Sequence, residues 1–238
     1  MKISILPAFE DNYIYILICE KTGKTAVVDP GDGDVVLRHC EEKDLKIDAI
    51  LNTHHHWDHT DGNQKLIDRF ECSLYAPTGE DRIKNVDHPL KQGDGFEIGE
   101  MSFKVIETPG HTKSHICYYS QSDKAIFCGD TLFSIGCGRL FEGTPKDMYL
   151  SMQKIAELPD ETQVYCGHEY TLANIKFAKS LENPPSGLVE YEQEVKAKRA
   201  AGKPSLPSSL GIEKRLNPFL RAKTPDELAK VRQRKDNF

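Results

Sequence analysis

The chain has 238 residues, 38% of them hydrophobic, and a formal net charge of −6. That length suits one large domain or one with a small appendage, and no apolar run approaches the roughly 18–20 residues of a membrane-spanning helix. The charge is uneven: residues 1–168 carry 17 Lys and Arg against 28 Asp and Glu, net −11, while residues 169–238 carry 14 against 9, net +5. An acidic body argues against general nucleic-acid binding there and leaves the basic tail as a candidate anion-binding surface.

In chain order, Val-, Ile-, Tyr- and Phe-rich runs bounded by turn residues predict strands at 2–6, 13–19, 24–29, 47–52, 72–76, 102–107, 116–120, 124–128 and 163–166. "EKTGKT" reads as the hairpin turn between the second and third. Helical patterns lie near 33–43, 60–70 and 145–157, the last capped by Thr144 with Pro145 at its first position. The apolar start "ISILPAF" is cut short by Glu10 and Asp11, unlike a signal peptide, so a cytoplasmic address is expected. Seven cysteines without a C-x-x-C pair argue against a disulfide framework and predict small buried hydrophobes. From about 169 the texture becomes helical: "EYTLANIKFAKSLE", then "GLVEYEQEVKAKRAAG", a Pro/Ser-rich connector "GKPSLPSSLGIEKRLNP", and a final helix "TPDELAKVRQRKDNF" with Thr224 as N-cap. The reading is a mixed α/β domain over 1–168 with a helical domain over 169–238.

The densest chemistry is "NTHHHWDHTDG", residues 52–62. The spacing is H-x-H-x-D-H: His54, His56, Asp58 and His59. In an extended segment alternate side chains point the same way, so His54 and His56 can face one point, with His55 turned from it. Asp58 and His59 follow as the chain turns. Imidazole and carboxylate are ligands of Zn, Fe and Mn sites. A run of exposed histidines is the bland alternative, and four ligand-type residues at this spacing weigh against it.

Three further stretches share a design, a β run followed by Gly and a ligand-type residue: "VIETPGH" ending at His111, "AIFCGD" at Asp130 and "VYCGH" at His168. With the cluster they make five histidines and two aspartates, enough for two metals if one aspartate is shared. Asp130 suits that role, since a carboxylate has two oxygens.

This set, with "TPGHT", "FCGDTLFSIGCGRLFEGT", "GHEYT", "NPFLR" and "VRQRKDNF", resembles the metallo-β-lactamase superfamily and, within it, the glyoxalase II family of hydroxyacylglutathione hydrolases. The resemblance implies an α+β fold, an αββα sandwich with a helical C-terminal domain. It implies His54, His56 and His111 as ligands of one metal, Asp58, His59 and His168 of a second, and Asp130 bridging. The metals would be Zn, with Fe or Mn as alternatives. A metal-bridging hydroxide held by Asp58 and Asp130 would be the nucleophile. Glutathione contacts fall on Arg139, Phe141, Tyr170, Arg232 and Lys235. Arg139 and Phe141 stand where compared members carry Lys and Tyr, so the cation is kept and a hydroxyl is lost.

The implied reaction is hydrolysis of the thioester S-D-lactoylglutathione to D-lactate and glutathione, in methylglyoxal detoxification. The thiolate leaves without acid help, and no G-x-S-x-G elbow is present or needed. Cys137 is the alternative nucleophile, without a dedicated base once the histidines bind metal. Arg232 and Lys235, three apart on the last helix, could meet a carboxylate of glutathione together. The partner is thus a small anionic thioester, with no nucleic acid or membrane, and the chain is expected to be monomeric. Rival readings are another hydrolase of this fold, a flavin-coupled di-iron redox protein, and a non-catalytic metal module.

Overall fold

The structure is a computed structural model and describes residues 1–238. Two compact units divide the chain. The first comprises Met1–Glu107 and Ile116–Gly129, the second Thr108–His115 and Asp130–Phe238.

The first unit opens with β1 (Lys2–Ala8), β2 (Asn12–Ile18) and β3 (Thr25–Val28), then α1 (Gly33–Lys43) and β4 (Ala49–Leu51). A single helical turn, α2 (Trp57–Thr60), precedes α3 (Asn63–Phe70), β5 (Ser73–Pro77) and β6 (His88–Leu90). These six strands form one sheet in chain order. Pairing is antiparallel through β3 and parallel from β3 to β6. β7 (Gly95–Ile98), β8 (Met101–Glu107), β9 (Ile116–Ser120) and β10 (Ala125–Gly129) form an antiparallel meander.

Strand β2 is buried on both faces, which is why it reads as a continuous apolar run rather than an alternation. Ile14 and Ile16 pack with Val36 and Cys40 of α1 and with Leu66 and Phe70 of α3. From the opposite face Tyr15 meets Phe127 of β10, with ring centroids 5.6 Å apart. Helices, sheet and meander thus form three layers, and the residues that follow β4 stand on a rigid base.

The second unit contains the short hairpin β11 (Leu132–Phe133) and β12 (Gly136–Cys137), α4 (Pro145–Ala156), β13 (Gln163–Cys166), α5 (Thr171–Lys179) and α6 (Leu188–Ala200). It ends with β14 (Ser208–Ser209), α7 (Leu210–Leu216) and α8 (Pro225–Asp236). Thr144 caps α4 in a reciprocal capping box with Asp147, and Thr224 accepts the Glu227 N–H at the start of α8, each stabilising by about 1 kcal/mol. Ile135, Ile175, Leu188, Tyr191, Val195 and Leu216 make the unit's apolar cluster.

Three sequence expectations need correction. The Pro/Ser-rich connector contains α7, capped by Ser209, whose side chain accepts the Ile212 N–H. The prolines upstream masked a short amphipathic helix whose buried residues are Leu210, Glu213 and Leu216. β6, β7, β11, β12 and β14 were not anticipated, being two to four residues long. The helix expected near 60–70 starts later, at Asn63 after Gly62, and the separate single turn Trp57–Thr60 ahead of it was not anticipated. All seven cysteines are buried and none is in a disulfide.

Candidate metal centre and anion cavity

The loop after β4 carries the first set of ligand-type side chains. His54 is wholly buried, and His59 nearly so. The His54 tautomer follows from the hydrogen bonds. The Thr53 hydroxyl donates to Asp29 Oδ2 at 2.7 Å, so its oxygen must accept from His54 Nδ1–H, 3.0 Å away. That leaves His54 Nε2 unprotonated, 3.1 Å from His56 Nδ1. Asp29 Oδ2 also lies 3.1 Å from His59 Nδ1, and Nε2 of His59 is 3.4 Å from Asp58 Oδ2. A carboxylate that fixes an imidazole, as Asp29 does for His54 through Thr53, is the usual partner of a ligating histidine. Asp29, His54 and His59 bring donor atoms within 4.8 Å of one another.

Asp58 is itself placed. Asn12 donates to its carboxylate at 2.9 Å and to its backbone carbonyl at 3.2 Å. Gly31 lets the backbone approach, because a Cβ there would lie 1.8 Å from Asp58 O. Asn52 holds the His59 carbonyl at 3.0 Å. His55 takes another direction: its Nδ1 is 3.2 Å from the buried carboxylate of Glu80, which Arg82 also engages.

In the second unit Asp130, directly after β10, is flanked by two imidazoles. His111 Nε2 and His168 Nε2 lie 3.4 and 3.3 Å from the same oxygen, Oδ2. His111 Nδ1 donates to the Arg139 carbonyl at 2.8 Å, which again leaves Nε2 unprotonated. The His168 ring stacks on Tyr170, with centroids 4.8 Å apart and planes within 1°. His115 holds Asp130 from behind. The Asp130 N–H donates to its Nε2 at 3.2 Å, so its Nδ1–H faces the hydroxyls of Thr108 and Thr131 at 3.0 and 3.1 Å.

These separations test whether the residues fit a metal. Four-coordinate ions with Zn–N and Zn–O near 2.0–2.2 Å place neighbouring ligand atoms about 3.3–3.5 Å apart. Three pairs at 3.3–3.4 Å match that spacing, whereas a neutral N–H···O bond is usually near 2.9–3.0 Å; the His54–His56 pair is slightly closer, at 3.1 Å. With neutral imidazoles and adjacent carboxylates, the donor set fits a divalent ion.

The five residues expected at glutathione, Arg139, Phe141, Tyr170, Arg232 and Lys235, line one cavity of about 540 Å³ that also touches His111 and Asp130. Their roles differ. Arg232 is only 6% exposed. Its Nε and Nη2 engage Asp236 at 3.0 and 2.7 Å, and its Nη1 donates to the Cys137 carbonyl at 3.0 Å. Much of its donor capacity is therefore spent inside the protein. Lys235 is half-buried, and desolvation, then Arg232 and Arg139, push its pKa below the usual lysine value; an incoming anion would relieve that. Phe141 is exposed and sets its ring edge-on to His111. Its backbone N–H is taken by the His111 carbonyl, so that N–H is not offered to a ligand. Cys137 is buried, which pushes its thiol up to about 11 and removes it as a nucleophile at neutral pH.

Sequence reading missed Asp29, His115, Asn12 and Glu80. Each is an isolated polar residue in a strand end or turn, and only the fold shows which ring it orients. "VVDPGDG" and "KSHICYY" offered a weak signal, a lone Asp or His at a strand boundary.

Residues 10–168 match the family model of the metallo-beta-lactamase superfamily, the class that the layered sheets and the His/Asp loop define. A solved structure of that fold, ETHE1 from Myxococcus xanthus, aligns with a TM-score of 0.76 at 26% identity, covering 98% of this chain and 90% of that one. Residues 169–238 match the model of the hydroxyacylglutathione hydrolase C-terminus. A hydroxyacylglutathione hydrolase of Shewanella halifaxensis is 43% identical over 260 residues, covering 100% of both chains. Another, from Rhodospirillum rubrum, is 46% identical over 222 residues, covering 93% of this chain and 87% of the relative. The chain belongs to the hydroxyacylglutathione hydrolase family of the metallo-β-lactamase superfamily. No helix is long and apolar enough to cross a membrane.

Proposed function

We propose that this chain is a thioester hydrolase that converts S-D-lactoylglutathione to D-lactate and glutathione, using two divalent metal ions, zinc or alternatively iron or manganese. The seven ligands would be His54, His56, Asp58, His59, His111, Asp130 and His168. Residues 1–168 form the catalytic part and 169–238 the part that binds glutathione, in a monomeric cytoplasmic protein. The observation that carries the reading is the cavity in which Arg139 and Lys235 add positive charge to the Arg232–Asp236 pair beside His111 and Asp130. Glutathione thioesters are anionic at the peptide end and reactive at the sulfur end, and this cavity offers a complement to each.

Held by those residues, two such ions would supply an acidified water and polarisation of the thioester carbonyl. The chain's own residues do the rest. Asp29 and Thr53 keep the His54 tautomer fixed, so no proton need move there for ligation. Lys235 attracts a substrate carboxylate, and Arg232 shapes the wall against which the peptide rests. Binding energy gained there orients a distant thioester carbonyl. The thiolate leaves as a stable anion, so no side-chain acid is required.

Free-thiol release from S-D-lactoylglutathione tests this against a small thioester that lacks the peptide. The expected outcome is a much lower KM for the glutathione thioester. Equal KM values would remove the glutathione assignment and leave an unspecified metallohydrolase.

A further inference from the structure

The hairpin that follows Asp130 has an unfavourable turn. β11 pairs with β12 at Leu132–Cys137 and Phe133–Gly136, leaving Ser134 and Ile135 as the turn. Ile135 has φ of 58°, a region that a β-branched residue avoids. Two-residue hairpin turns with positive φ normally carry Gly or Asn. The rest of the unit must hold this one in place.

Side chains from the helical segments do so. Glu213 Oε2 accepts the Ile135 N–H at 2.8 Å. The Asn217 amide donates to the carbonyls of Phe133 and Gly136 at 3.1 and 2.9 Å, and to Glu213 at 3.0 Å. Asn174 donates to Ser134 O at 3.1 Å, Tyr191 meets the Ser134 hydroxyl at 3.0 Å, and Arg232 donates to Cys137 O. Glu213 and Asn217 are both completely buried. Five backbone groups between 133 and 137 are thus met by four side chains.

The base of the same hairpin touches the ligand-type residues. Gly138 N–H donates to Thr131 O at 3.3 Å. A Cβ on Gly138 would lie 2.0 Å from Asp130 O and 2.9 Å from His111 Nδ1. The next residue, Arg139, supplies the carbonyl that fixes the His111 tautomer. A tilt of the hairpin would therefore displace both the Asp130 backbone and the partner of His111.

We propose that Glu213 and Asn217 are positioning residues that hold Asp130 and His111 in ligating geometry through the 132–137 hairpin. The helical segment thereby sets how tightly metal is held, besides meeting the substrate. This rests on the metallohydrolase reading above.

The test uses the full metal-loaded chain and the variants Asn217→Ser, Glu213→Leu and Glu213→Gln. The Gln amide oxygen can still accept from Ile135. Metal per chain is measured against increasing chelator, with circular dichroism and melting recorded for each protein. Asn217→Ser and Glu213→Leu are expected to release metal at about tenfold lower chelator than wild type, and Glu213→Gln to regain most of the loss. A purely structural role would lower the melting temperature and leave the chelator midpoint of the folded protein unchanged; that result overturns the proposal. If the first two variants do not fold, Asn174→Ala, which removes one grip on the turn, carries the same expectation and the same refutation. Failure of the underlying reading is separate: wild type itself would then hold no metal or release no thiol.

Discussion

The two sets of ligand-type residues are built in contrasting ways. The set in the first unit lies within six consecutive residues, 54–59, on a loop that leaves a buried parallel strand. Its orienting groups, Asp29, Thr53 and Asn12, come from the same layered unit. The set in the second unit is assembled from residues 111, 130 and 168, with Asp130 Oδ2 as the common point. Its supports reach in from His115 and from segments beyond residue 170. A contiguous set gets its geometry from local backbone, and a dispersed set must obtain it from distant side chains. Disturbance should therefore spread further in the second unit.

The largest expected effect tests the common point. Asp130→Asn removes the anion between two imidazoles, and turnover should fall at least about a hundredfold with metal loss. Two ions per chain and near-normal turnover in that variant would show that Asp130 does not bridge two metals. Within the contiguous set, His56→Ala should cut turnover by a comparable factor. His55→Ala should cost far less, because its ring nitrogen faces Glu80 rather than His54. Equal metal loss in both would show that alternation along the loop does not assign the ligands.

Next come the orienting groups, one from each unit. Asp29→Asn and His115→Ala should each weaken metal retention about ten- to a hundredfold. The contrast predicts that His115→Ala also raises the KM for the glutathione thioester, because the Asp130 hairpin also walls the cavity, whereas Asp29→Asn should leave KM near wild type. Identical kinetic signatures would erase the distinction.

A comparable effect, confined to binding, concerns Lys235. One charge-assisted contact is worth about 1.5–3 kcal/mol, so Lys235→Ala should raise KM roughly ten- to a hundredfold with kcat little changed. Arg232→Ala is a poorer probe, since it also breaks the bonds to Asp236 and Cys137. Lys235 titrates below the usual lysine value. Wild-type KM should therefore rise with pH earlier than an ordinary lysine would dictate, and Lys235→Ala should lack that limb.

The smallest effect is one of stability. Burial raises the Glu213 pKa, so the folded chain holds this proton more tightly than the unfolded chain. The stability it confers is complete below the unfolded value and is lost as pH rises through the folded one. Glu213→Gln should flatten that part of the melting profile. An unchanged slope would mean that Glu213 does not titrate there.

Much of this was legible in the sequence, for physical reasons. A strand followed by H-x-H-x-D-H is a local pattern, and local backbone geometry alone turns His54 and His56 together. Gly129 and Gly167, just before Asp130 and His168, mark the ends of β10 and β13, and Gly110 before His111 lies in the loop after β8. The positioning groups were not legible. Glu213 sits in a short helix behind a Pro/Ser-rich stretch and Asn217 caps its end, and their partners lie 78 and 81 residues away. Nor could the sequence show that the Arg232 guanidinium is largely spent on Asp236 and Cys137. Long-range hydrogen bonds leave no period in a sequence.

The central claim, two divalent ions that carry thioester hydrolysis, is tested most directly by one titration. Purified chain is treated with increasing chelator while metal per chain and thiol release from S-D-lactoylglutathione are followed together, and metal is then restored. The account requires two ions per chain at full activity, activity lost in step with them, and recovery on re-addition. Full thiol release from metal-free protein would contradict it.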